Sequence, residues 1–371
     1  MPNFRFMHAN FADPKLSKHE ITLRLSGHRR KLLAAKMGFK LPHQDDGKVE
    51  DGLDGRQGRE PHGVGMLDKA DKAKIERRAA LINKRHLSTS GLTHLKTEDV
   101  NKLERVRDGV RLARLASEHQ ADELAASLHA EFPWMGLATE ALWHALRQSV
   151  RTGDVGLRVP PMLLDGPPGI GKSAWARAVG KLIHVPSVVY GATTENASFG
   201  LTGSQRGWGN ATPGRLITTI LSQQVGNPVV MVDKVEKSGH AGSTKGQAFS
   251  LTDALLPLLE PLSASGWSCP YFEVKFDMSY VIWVLTSNDH RRLPEPLLSR
   301  CPPIRLRELS KPELVSFAKR EGQRHGLDEI SIEAVAEAID RWDQPSRINL
   351  RTVGRMINRA VQLQAVGFRL N

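Results

Sequence analysis

The chain has 371 residues, 40% of them hydrophobic, which is enough for two or three folded units and argues against wholesale disorder. Two cysteines, Cys269 and Cys301, make neither a disulfide framework nor a zinc site, and no 18-residue apolar run or signal peptide occurs, so a cytoplasmic protein is expected. The net charge of +12 is uneven: residues 1–120 hold 25 Lys and Arg against 16 Asp and Glu, and the rest hold 27 against 24. Such a stretch either attracts polyanions or is a solvated basic arm.

Residues 1–120 are expected to form a basic, mostly helical region. The segment from about 44 to 65 is polar and glycine-rich and reads as a flexible linker. Leu103, Val106, Val110, Leu112 and Leu115 recur at helical spacing, with Thr97 as a cap. The histidines from His19 to His94 show no ligand spacing.

From about residue 130 helices alternate with short apolar strands at 162–164, 188–190, 229–232, 281–285 and 304–306. That pattern predicts an α/β fold, a parallel sheet flanked by helices over residues 121–307. Residues 308–371 read as a helical lid, with Ser310-Lys311-Pro312-Glu313 as a capping box, Ser331 opening a second helix, and a third beginning near Leu350.

The run Gly166-Pro167-Pro168-Gly169-Ile170-Gly171-Lys172-Ser173 follows a strand and opens a helix at Ala174. Glycines let backbone N–H groups curl around phosphates, and the helix presents its positive end. The pattern predicts a P-loop, in which Lys172 should contact the β- and γ-phosphates of ATP and Ser173 should ligate Mg²⁺. Val229-Val230-Met231-Val232-Asp233 is a strand ending in a carboxylate, which places Asp233 at the same metal. Asn288, after another strand, can reach the γ-phosphate or the attacking water, or simply form a turn.

Three stretches carry a family resemblance. They are GPPGIGKSAWARAVG; NPVVMVDKVEK followed by ALLPLLEP; and YFEVKFDMSYVIWVLTSN leading to LPEPLLSRCPPIRL. Over residues 130–365 the chain resembles the AAA+ ATPase module of Lon protease. The resemblance implies a P-loop NTPase (AAA+) core and a ring, usually a hexamer. It makes Arg300 the arginine finger for a neighbour's ATP and Arg347 the second sensor, with Arg351 one turn later as a substitute. It also makes Trp208 the pore aromatic that grips polypeptide; a tryptophan folded onto its own domain is the other reading.

Two departures stand out. The Ser-Lys protease domain of Lon has no counterpart before Asn371, so no peptidase activity is expected. Lys234 follows Asp233 where the family has a glutamate that polarises water, and a charged lysine cannot accept a proton. Either Glu236 substitutes, sharing the face of Asp233 if the strand continues, or hydrolysis is slow and ATP binding does the work. A third reading is a substitution introduced to trap nucleotide. Three functions remain open: a ring that remodels a protein client, a nucleic-acid-associated ATPase, and an ATP-responsive assembly protein.

Overall fold

The computed structural model describes residues 3–11, 17–36, 67–192, 198–207, 209–238, 241–242, 248–342 and 348–367. Trp208, Arg347 and the 44–65 segment lie outside the described residues. The chain divides into two compact units, one of residues 9–100 and one of residues 1–8 with 101–371.

The smaller unit is built on two helices, Lys18–Lys36 and Lys69–Ser90. Asp68 caps the second by accepting the N–H of Asp71, and Gly91 ends it in the left-handed conformation. An ion pair of 3.0 Å joins Arg29 to Asp71.

Residues 3–8 and 101–120, expected with the basic region, belong to the larger unit. Phe6 is fully buried against Phe276, ring centroids 5.1 Å apart, and Phe4 bridges to Val110. The helix expected to run through Leu115 stops at Glu104. Gly109 has φ +96°, and a Cβ there would overlap the Phe4 carbonyl, so the chain turns and Val110 and Arg111 enter β-bridges. Val110 is buried in that extended segment, and Leu112 and Leu115 partly so.

The larger unit is organised by five strands: β1 (Met162–Asp165), β2 (Ser187–Gly191), β3 (Val229–Asp233), β4 (Ile282–Ser287) and β5 (Pro303–Arg305). They pair in the order β2-β3-β4-β1-β5, all parallel. β1 and β4 are buried along their whole length, as apolar strands covered on both faces must be. Because β1, β3 and β4 are neighbours, their C-terminal ends place Gly166, Asp233 and Asn288 side by side. This is the crevice where open parallel sheets bind ligands.

The lid helices are Lys311–Arg324, Glu329–Asp340 and Leu350–Gly367. The capping box of Ser310 and Glu313 opens the first. The second is capped by Asp328, which accepts the N–H of Ser331, so the helix opens earlier than expected. Leu314, Val335, Ile339, Val353 and Ile357 of the lid share one hydrophobic core with Met162, Leu164, Met231 and Val284 of the sheet.

Candidate nucleotide site

The loop after β1 keeps its shape because two of its residues lack a Cβ where one would be strained. Gly169 and Gly171 have φ of +82° and +96°. A Cβ on Gly166 would lie 2.7 Å from the Leu306 carbonyl oxygen. Three hydrogen bonds pin the loop. Gly166 N–H donates to Ser287 O at 3.1 Å, Trp134 Nε1 to Ile170 O at 2.8 Å, and Leu350 N–H to Gly169 O at 3.1 Å. The helix Lys172–Ile183 starts directly afterwards, so the first-turn N–H groups near Ser173 and Ala174 have no partner within the helix and face the loop.

Lys172 is buried at the loop's mouth. Its Nζ donates to Gly166 O at 2.5 Å, Pro167 O at 3.1 Å and Asn288 Oδ1 at 3.1 Å. Burial pushes its pKa down to about 8, against the pull of Asp165 first and then Glu236 and Asp233.

Asp233, at the end of β3, accepts at Oδ1 from Ser173 Oγ (3.2 Å) and Thr286 Oγ1 (2.8 Å). A hydroxyl and a carboxylate in contact are the hard oxygen donors that Mg²⁺ takes alongside phosphate oxygens, so Ser173 and Asp233 fit that ion. Lys234 then adopts the left-handed conformation, φ +56°, with its N–H on Thr286 Oγ1 at 3.0 Å. The strand therefore stops, and Glu236 does not share the face of Asp233 by continuing it. A 3₁₀ turn, Val235–Lys237, swings Glu236 round instead. Its Oε1 accepts from Asn288 Nδ2 at 3.2 Å, and its Oε2 is buried without a hydrogen-bond partner among the described residues. Asn288 thus stands between Lys172 and Glu236.

These groups border a cleft of about 300 Å³. Pro168, Gly169, Gly171, Lys172, Ser173, Ala174, Asp233 and Asn288 line it, and so does Lys234. Arg177, Thr286, Phe132, Phe317 and Arg351 line it too. Arg351 was only a substitute in the sequence; the others were missed. Arg177 follows Ser173 by one helical turn, a legible signal. The two phenylalanines come from segments distant in sequence and left none. Glu236 sits behind Asn288, outside the lining. Arg300 is also outside it: its Nε lies 3.1 Å from Glu260 Oε2 without hydrogen-bond geometry, and its Nη1 donates to Pro296 O at 2.9 Å.

Residues 162–309 match the model of the ATPase family associated with various cellular activities (AAA). By that match residues 162–309 are an AAA module. The module is similar to part of Lon protease from Chlamydia pneumoniae, 32% identical over 165 residues, 44% of this chain and 20% of that protein. It is 33% identical over 203 residues to Lon protease from Magnetococcus marinus, 51% of this chain and 24% of that protein. The mitochondrial Lon protease homolog of Yarrowia lipolytica is 28% identical over 190 residues, 50% of this chain and 16% of that protein. The chain therefore spans about a quarter or less of these relatives' length. Among the described residues no helix is long and apolar enough to cross a membrane.

Proposed function

We propose that this chain binds ATP with Mg²⁺ in the cleft between β1, β3 and β4 and hydrolyses it slowly. The observation that carries this reading is one hydrogen-bonded group, Ser173–Asp233–Thr286, set beside Lys172 at the mouth of a glycine-shaped loop. Lys172 exchanges the Gly166 and Pro167 carbonyls for phosphate oxygens, and loop N–H groups bind the rest. Ser173 and Asp233 hold Mg²⁺, which when bound neutralises charge on the β- and γ-phosphates. Asn288 orients the γ-phosphate or the attacking water.

Lys234 supports slow turnover, because it holds a place at the cleft where a carboxylate would take a proton from water. Glu236 is the remaining acid, and Asn288 stands between it and the cleft. Lys234→Glu should raise kcat in a steady-state phosphate-release assay. Unchanged or lower turnover would contradict the assignment.

The likeness to Lon proteases supports a ring, a hexamer by that likeness, that remodels or translocates a protein client. The proposal includes no peptidase step. In such a ring Arg300 acts on a neighbour's ATP, Arg347 or Arg351 senses it from the lid, and Trp208 grips the client.

A second reading, a nucleic-acid-associated ATPase, is favoured by the helix Lys69–Ser90. Lys74, Arg77, Arg78, Lys84 and Arg85 recur at helical spacing and are exposed, while Asp71 on that face is buried in its ion pair with Arg29. Its signature is DNA or RNA binding that weakens steeply with salt. An ATP-responsive assembly role would share the same site with hydrolysis almost absent.

A further inference from the structure

Asp165 has no part in the phosphate cradle, yet its carboxylate is nearly enclosed and given wholly to one residue. It ends β1, directly before Gly166. Oδ1 accepts the backbone N–H of His290 at 2.9 Å, and Oδ2 faces Nδ1 of the same imidazole at 2.8 Å. The side chains are 12% and 19% exposed for Asp165 and His290. Facing a carboxylate, Nδ1 is the donor.

His290 lies two residues beyond Asn288, and the other flank of Asn288 is tied to the same place. Gly166 N–H donates to Ser287 O at 3.1 Å, and Ser287 Oγ accepts the N–H of Asp289 at 3.0 Å. Asn288 is therefore clamped on both sides to the two residues that open the phosphate loop. Its own amide spans Lys172 Nζ and Glu236 Oε1, at 3.1 and 3.2 Å.

We propose that the Asp165–His290 pair is a positioning device that aims the Asn288 amide at the γ-phosphate and so sets the chain's preference for ATP over ADP. The inference rests on the nucleotide reading above. A turn after β4 would hold without this pair, because Asp289 already accepts the N–H of Arg291 at 3.3 Å and its Nε at 2.8 Å. What the pair adds is a fixed distance between the turn and the loop. An amide is directional, so a small rotation of Asn288 costs its bond to a terminal phosphate and leaves the α- and β-phosphate contacts intact.

The test is the ratio of affinities for the β,γ-imido analogue of ATP and for ADP, titrated into the full chain with Mg²⁺. His290→Ala should lower that preference on the order of tenfold, the worth of one hydrogen bond to a charged group. Asn288→Ala should lower it as much, and the double variant no further. His290→Asn should keep the wild-type ratio, since its amide N–H donates from near the Nδ1 position. An unchanged ratio in His290→Ala, with only earlier melting, would reduce the pair to a structural tie and overturn the proposal. So would equal weakening for both nucleotides. Uptake of neither nucleotide by the wild-type chain would overturn the nucleotide reading itself, and this inference with it.

Discussion

Lys172 holds only part of its charge at mildly alkaline pH while the cleft is empty, because burial has brought its pKa to about 8. Phosphate binding needs the charged form, so above that pH binding must draw a proton from solution. The affinity for ATP should fall about tenfold between pH 7 and pH 9, with proton uptake visible in buffers of different ionisation enthalpy. Constant affinity across that range would show that Lys172 keeps its proton throughout. Much at this scale was legible beforehand. A glycine pattern ending in Lys-Ser and an apolar run ending in Asp233 pointed to neighbouring groups, and Ser173 and Asp233 do lie 3.2 Å apart. What could not be read is pairing across the sheet, such as Thr286 on Asp233 or His290 on Asp165, since nothing local in either residue announces its partner. Glu236 was placed near the site for the wrong reason. The left-handed turn at Lys234, not strand continuation, delivers it.

Among the elements, the phosphate loop depends on a residue far from it in sequence. Trp134 Nε1 holds the Ile170 carbonyl at 2.8 Å in a buried setting, and its ring packs edge-on against Phe132 and Phe317. Trp134→Phe keeps most of the packing and leaves that carbonyl unsatisfied. It should cost about 1–3 kcal/mol in urea unfolding. Unaltered stability would mean the loop holds its shape unaided. The central strands β1, β3 and β4 were easily read because both faces of a covered parallel sheet are apolar, so each is a short hydrophobic run. The segment 97–115 misled for the converse reason. Apolar residues at helical spacing can equally bury an extended chain, and Gly109 was the signal that the helix must end.

For the whole molecule, the position of Arg300 outside its own chain's cleft makes the ring proposal testable. Arg300→Ala and Lys172→Ala chains should each be nearly inactive. Mixing them should restore turnover, because some interfaces then join an intact Lys172 to an intact Arg300. No recovery on mixing would count against action between subunits. Every such step presupposes nucleotide in the cleft, and calorimetric titration of the purified chain with ATP at millimolar Mg²⁺ measures that directly. The expected result is one ATP per chain for wild type and none detectable for Lys172→Ala; a wild-type chain that takes up no ATP, or a variant that binds it as well, would contradict the account.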